Sequence, residues 1–160
     1  MISALKNVTY LDVASGKWIS NAVIEIHGKK IGRIALAEKD GIAGTPDHDI
    51  IDCEGLYAIP AFIDSHVHLF EVHEGPSAGS LLRDPLEDAL NRALQNMHTA
   101  LDIGVTTVRD VGAVDARNNL LRDRISSGVL DCSFRVISCG HHLTVHNGHF
   151  WDREYGALHR

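Results

Sequence analysis

The order of strand-like and helix-like segments after residue 58 constrains the fold of this chain more than any other feature. Three short apolar stretches, "IPAFIDSHVHLF", "VTTVRDVG" and "SFRVISCG", have the length and composition of buried strands, and helical patterns separate them. The order strand, helix, strand, helix, strand makes two βαβ units and predicts a parallel sheet. Because parallel strands are normally covered on both faces, we expect this sheet to be buried on both sides.

The segment "RDPLEDALNRALQNMHTALDIG" predicts the first helix. Asp84 is expected to be its N-cap, Pro85 its first helical residue and Glu87 the second half of a capping box. Gly104 is placed to end it. A second, weaker helix, "AVDARNNLLRDRISSG", ends at Gly128. Apolar residues recur every three or four positions of the first helix and predict one buried stripe: Leu86, Leu90, Ala93, Leu94, Met97 and Leu101.

The segment before residue 58 has a different pattern. "NAVIEIHGKKIGRIAL" alternates apolar and polar residues on either side of Gly28, which predicts a hairpin with a tight turn. A polar loop follows, and "IIDCEGLYAIP" returns to strand. We therefore expect a small β domain over residues 1–57 and an α/β segment over residues 58–160.

Composition excludes several classes of protein. The formal net charge of −6, with no cluster of Lys or Arg, argues against nucleic acid or an anionic membrane as a partner. No signal peptide and no apolar run near the roughly 20 residues of a membrane helix is visible. The three cysteines are odd in number and form no C-x-x-C pair, which favours free thiols in a reducing compartment. These observations predict a cytoplasmic protein.

Two histidines stand at the end of the first strand of the α/β segment. Residues i and i+2 of a strand point to the same side, so we expect Asp64, His66 and His68 on one face. Two imidazoles on one rigid face can bind a single metal at roughly 2.0–2.1 Å per bond. The alternative is a pair of partly exposed histidines at a strand end, and position alone does not decide between the two. We expect the apolar residues to face the other way: Ile63, Val67 and Leu69.

Four stretches together resemble the amidohydrolase superfamily. "IPAFIDSHVHL" is similar to its P-G-x-I-D-x-H-x-H signature, "NAVIEIHGKKIGRI" to its small β-domain hairpin, and "ALDIGVTTVRDVG" to its second barrel strand. "FRVISCGHHLTVHNGHF" is similar to the L-T-x-x-G-G-H loop of the branch with imidazolonepropionase-like and Xaa-Pro-dipeptidase-like enzymes. Ala61 and Asn147 replace glycines that are usual in these motifs. Neither substitution affects an expected metal ligand.

The resemblance implies an α/β fold, namely the N-terminal part of a TIM (β/α)8 barrel. About three barrel strands would lie in residues 58–160, after the N-terminal half of a composite β-sandwich in residues 1–57. A full barrel takes about 250 residues. We therefore expect this chain to be an N-terminal fragment with an incomplete barrel, inactive by itself.

The resemblance also implies a metal-dependent hydrolase. His66 and His68 would bind a divalent metal at a site of one or two ions. Zinc is the first candidate, although two imidazoles can also bind manganese, iron or cobalt. A metal-activated hydroxide would attack an amide-type C–N bond of a dipeptide or a cyclic amide. The family's bridging lysine, two further histidines and general-base aspartate are expected beyond Arg160. No catalytic residue is therefore assigned in this chain.

Two residues are expected to bind substrate. His149 matches the histidine of the G-G-H motif, and Arg109 ends the second strand. Arg109 and Asp110 have an alternative, structural role in holding the mouth of the barrel. Asp64 is expected to be a hydrogen-bonding partner that orients a ligand.

Other histidines and a cysteine near the third strand are assigned no chemistry. His141 and His142 are expected to be solvated loop residues. Cys139 is expected in the core. His73 and His98 belong to no motif.

Two other functions stay open. The chain could be a non-catalytic subunit that completes its barrel with another chain. It could also be a histidine-rich metal-binding module in which His141 to His149 bind the ion. Under the leading interpretation, the expected partner is a small amide or dipeptide substrate. Nucleic acid and membrane are not expected as partners. Assembly as a homo-oligomer stays open.

Overall fold

The computed structural model of the chain describes residues 4–36, 49–71, 84–145 and 148. The chain divides into two compact units, residues 1–60 and residues 61–160. The sequence places a boundary between residues 57 and 58, and that assignment of domains stays a prediction.

The described part of the first unit forms one five-stranded sheet. Strand β1 pairs antiparallel with β2 and parallel with β4 and β5, and β2 pairs antiparallel with β3. The β2–β3 hairpin confirms the predicted turn, with Gly28 at a φ of 64°. The strands are β1 (Ala4–Asp12), β2 (Lys17–His27), β3 (Lys30–Leu36), β4 (Ile50–Asp52) and β5 (Tyr57–Ala58).

One ion pair links β2 and β3. Arg33 Nη2 lies 2.8 Å from Glu25 Oε1, and this hydrogen bond lowers the pKa of Glu25 from its ordinary value. We expect Arg33→Met to raise the pKa of Glu25, whereas Lys30→Met on the same strand leaves it nearly unchanged. A carboxyl NMR titration of Glu25 measures both variants, and equal shifts in the two would contradict the pairing.

The sign of the pH dependence follows from the same contact. A folded-state pKa below the unfolded value stabilises the fold above the unfolded pKa, and this stabilisation is lost as pH falls through the folded pKa. The contribution of Glu25 to stability therefore disappears in acid, and Arg33→Met should lessen that acid sensitivity.

The second unit contains a three-stranded parallel sheet in the order β6-β7-β8. Helix α1 connects β6 to β7, and a short 3-10 helix (Val114–Ala116) followed by α2 connects β7 to β8. The predicted strand-helix-strand-helix-strand order and the parallel sheet are therefore confirmed. The elements are β6 (Phe62–Val67), α1 (Leu86–Asp102), β7 (Val105–Asp110), α2 (Arg117–Ser126) and β8 (Arg135–Ser138).

The core of the second unit lies between the sheet and the two helices. Leu90, Ala93 and Met97 of the predicted α1 stripe are buried, whereas Leu86 is 38% exposed. Gly104 adopts a φ of 84° just after α1 and ends it as expected. The main buried partners from other elements are Val108, Leu121, Phe134 and Val136.

The expectation that both faces of this sheet are covered is wrong. Val108 and Val136 pack in the core, but the opposite face exposes Ile63 (70%) and Ile137 (45%). The reason is that α1 and α2 both contribute to the same core cluster, and no described segment of this unit covers the other face.

The predicted N-cap of α1 is also wrong. The helix begins at Leu86, and no side chain caps its N-terminus. The carboxylate of Asp84 accepts a hydrogen bond from the guanidinium of Arg92 instead. This charge-assisted bond competes with capping for the same oxygens.

Neither of the helices α1 and α2, in the part of the chain that the structure describes, is long and apolar enough to cross a membrane.

Candidate functional site

The carboxyl ends of the three parallel strands border an open cleft of about 690 Å³. Ligand sites in parallel α/β folds occur at this edge of the sheet. Each strand contributes to the walls: His66 from β6, Arg109 from β7 and Cys139 after β8. His68, Glu71 and His142 also line the cleft.

A β-bulge determines which residues of β6 face the cleft. Asp64 is opposite Val108 and Val67 is opposite Asp110, so three steps along β6 match two along β7. Asp64 and Val67 therefore pair with residues of β7 that face the helices, and His66 lines both the cleft and a groove beside α1. The extra residue interrupts the alternation on which the predicted common face for Asp64 and the two histidines was based, yet all three residues line one groove together with residues of α1. Asp64 Oδ1 accepts a hydrogen bond from the backbone N–H of His66 at 3.0 Å.

The two histidines stand close together with different surroundings. Their ring centroids are 5.5 Å apart and the ring planes are 83° apart. Nδ1 of His68 lies 3.0 Å from the carbonyl oxygen of Gly112. Because that oxygen can only accept, Nδ1 donates, and the neutral ring carries its lone pair on Nε2. A backbone carbonyl that fixes the tautomer in this way is typical of metal-binding histidines.

His142 and Glu71 were not assigned to the site from the sequence. The ring of His142 is partly buried, with its centroid 5.0 Å from that of His68, so the expectation of a solvated loop residue is wrong. One ligand atom from each of His68, Glu71 and His142 lies within 4.8 Å of the other two. The available signal was position, since Glu71 follows β6 closely and His142 follows β8.

The buried side chain of Asp110 links the segments that border the site. It is fully buried at 0% exposure. Its Oδ2 accepts from the backbone N–H of Leu69 at 3.0 Å, and its Oδ1 from that of Gly112 at 3.0 Å. Oδ1 also accepts from Nδ2 of Asn118 at 2.8 Å. The carboxylate therefore joins the segment after β6, the segment after β7 and α2, which is the structural role that the sequence left open.

Arg109 lies on the exposed face of β7 and lines the cleft. Its Nε donates to the carbonyl oxygen of Ser65 at 2.7 Å, which ties it to β6. Substrate binding by Arg109 stays a prediction. The same holds for His149, which lies outside the described residues.

Cys139 is exposed, so its predicted place in the core is wrong. Strand β8 ends at Ser138, and Cys139 is the first residue after it. Its Sγ lies 3.4 Å from the carbonyl oxygen of His141.

This parallel sheet, with a histidine pair at the carboxyl edge of its first strand, points to one class of protein. A model of the amidohydrolase family matches residues 57–143, more than half of the chain. The chain therefore belongs to the amidohydrolase family.

Sequence relatives include adenine deaminases. The chain is 38% identical over 65 residues to an adenine deaminase of Thermosipho africanus, a match that covers 41% of this chain and 10% of that protein. It is 30% identical over 108 residues to adenine deaminase 2 of Desulfotalea psychrophila, covering 58% of this chain and 19% of that protein. The matched regions are thus a small part of these relatives.

Similar solved structures include prolidase-type proteins, which agrees with the dipeptidase-like branch. A putative prolidase from Bifidobacterium longum has a TM-score of 0.70 and 25% identity, with 92% of this chain and 32% of that chain covered. An Xaa-Pro dipeptidase with bound methionine has a TM-score of 0.66 and 27% identity, with 86% and 33% covered. The chain spans about a third of these structures.

Proposed function

We propose that this chain provides the first part of a metal-dependent hydrolase that cleaves amide-type C–N bonds in a dipeptide or a cyclic amide. The observation that carries the proposal is the pair His66 and His68 in a cleft at the carboxyl ends of three parallel strands. The relatives' names support it, since a dipeptidase and a deaminase both break a C–N bond.

The corresponding proposal for the fold is that β6, β7 and β8 are the first three strands of a (β/α)8 barrel. The face of the sheet opposite the helices supports it, because Ile63, Arg109 and Ile137 lie exposed there. In a complete barrel that face is the packed interior. The sheet of the first unit would likewise be half of a composite sandwich.

The donor chemistry of the cleft fits a divalent metal, with zinc as first candidate. Both imidazoles line the same cleft, and the Gly112 carbonyl leaves Nε2 of His68 as a ligand atom. A metal bound there supplies Lewis acidity for a water and for a substrate carbonyl. Arg109 offers a guanidinium that can bind a carboxylate or carbonyl oxygen of the substrate. The general base is assigned to none of the described residues.

The proposed test compares the 160-residue chain with the native polypeptide, captured from source cells with an antibody against residues 1–60. We expect zinc-dependent hydrolysis of dipeptides or cyclic amides by the captured material and none by the 160-residue chain. In the active material, His66→Ala should lower the rate by about 100-fold or more, since even partners of ligands cost 10–100-fold. His98→Ala, an exposed histidine on α1, serves as the control.

Two outcomes would contradict the proposal. Hydrolysis by the 160-residue chain that is lost on His66→Ala would show that the chain alone is competent. Captured material that keeps full activity after removal of its metal would rule out the metal-dependent reaction.

A non-catalytic subunit that completes its barrel with another chain is the second candidate. Exposed apolar residues on β6 and β8 favour it, because such surface normally packs against a partner. The same capture decides between them: a second chain that co-purifies and carries the activity supports this candidate.

The three free cysteines suit the cytoplasm, where we place the protein.

A further inference from the structure

We infer that His68, Glu71 and His142 form a divalent-metal site in this chain, as an alternative to the pairing of His68 with His66. The three ligand atoms lie within 4.8 Å of one another, and all three side chains are partly buried. The inference goes beyond the proposed function, because it requires neither hydrolysis nor any further strand.

The ligand set suits zinc. Two imidazole nitrogens and one carboxylate oxygen match sites that hold zinc with three protein ligands and one open position. Bonds of about 2.0–2.1 Å in a tetrahedral arrangement place the ligand atoms roughly 3.3 Å apart. Since the ligand atoms lie within 4.8 Å of one another, no pair exceeds that spacing by more than about 1.5 Å, and small χ rotations of the three side chains can close the site.

The backbone positions Glu71 for this role. Its N–H donates to the carbonyl oxygen of His68 at 3.3 Å, so the chain turns directly after the histidine. Nδ2 of Asn96 donates to the carbonyl oxygens of Leu69 and Glu71 at 2.8 and 3.1 Å. Nη1 of Arg92 donates to that of Phe70 at 3.1 Å. Helix α1 thus fixes the turn that carries the carboxylate.

Gly112 positions both histidines at once. Its carbonyl oxygen accepts from Nδ1 of His68 at 3.0 Å. A Cβ on Gly112 would lie only 2.4 Å from Cδ2 of His142, so the imidazole occupies the space that a side chain would fill. The two rings come together because this residue is glycine.

The inferred site and the His66–His68 pair compete for one atom. The bond to Gly112 leaves His68 a single ring nitrogen for a metal. If His68 binds an ion together with Glu71 and His142, it cannot also bind one together with His66, which is exposed. Because of this competition, different experimental results contradict the inference and the proposed function.

The test is the zinc affinity of the purified 160-residue chain, measured by competition with a chromophoric chelator. We expect one ion per chain. Glu71→Gln and His142→Ala should each lower the affinity by about 100-fold or more, since outer partners alone cost 10–100-fold. The control His98→Ala, an exposed histidine on α1, should change it by less than about threefold, and His66→Ala distinguishes the inferred site from the pair of the proposed function.

Two results would overturn the inference. Loss of affinity in His66→Ala but not in Glu71→Gln would leave the ion on the pair of the proposed function. Loss only in the double variant His146→Ala, His149→Ala would place it on the histidine-rich loop.

A measurement on the unaltered chain tests the inference even if the variants fail to fold. Histidine-selective NMR during zinc titration should move the ring resonances of His68 and His142 and leave those of His98 in place. Unchanged resonances of His142 at saturating zinc would overturn the inference.

Discussion

Asp110→Ala is expected to lower the free energy of unfolding of the second unit by about 3–5 kcal/mol. The carboxylate is fully buried and accepts three hydrogen bonds, from the backbone of Leu69 and Gly112 and from Asn118. Its removal leaves these donors buried without an acceptor, and each such donor costs about 1–3 kcal/mol. Urea unfolding followed by circular dichroism measures the loss.

The matched control for this variant is Asp88→Ala. Asp88 is exposed on α1 of the same unit, so its replacement should change the free energy by less than about 0.5 kcal/mol. Asp110→Asn should also be destabilising, because its amide NH₂ would point a donor at other donors. A loss below about 1 kcal/mol in Asp110→Ala would mean that water replaces the carboxylate.

Gly112→Ala is expected to cost about 2–4 kcal/mol and to weaken zinc binding about tenfold. Gly112 has a φ of 147°, and a Cβ there would lie 2.4 Å from Cδ2 and 2.8 Å from Cα of His142. The contact with backbone cannot be relieved by turning a side chain, so the segment that carries His142 has to move. The same unfolding experiment and a zinc titration measure the two effects.

Gly128→Ala separates steric contact from backbone strain. Gly128 also has a positive φ, 75°, but a Cβ there would meet nothing within 4 Å. It should therefore cost only about 1 kcal/mol, the price of the left-handed backbone, and leave zinc binding unchanged. Equal losses in the two variants would show that His142 does not depend on the space at Gly112.

The parts of the fold that local sequence determines could be predicted. Gly28 and Gly104 adopt the positive φ angles expected where a hairpin turns and a helix ends. The parallel sheet followed from the alternation of strand and helix patterns. Two of the four motifs that carried the family resemblance lie wholly within residues 57–143, the region that the family model matches, and a third lies partly within it.

Features that depend on a distant partner could not be predicted. The bulge between Asp64 and Val67 is defined only by pairing with β7, so the sequence pattern of strict alternation did not show it. Asp84 suited a cap by its position, but Arg92 takes its carboxylate. The approach of Glu71 to His142 depends on the course of the two segments that follow β6 and β8, which no local pattern shows.

The carboxylate of Asp110 has a consequence for the way in which this region opens. The amide protons of Leu69 and Gly112 belong to segments far apart in the chain, yet they bond to the same buried side chain. Neither can reach solvent by a local fluctuation unless that side chain is displaced. The two amides should therefore exchange with deuterium at a shared opening free energy, as one cooperative unit that includes the turn after His68.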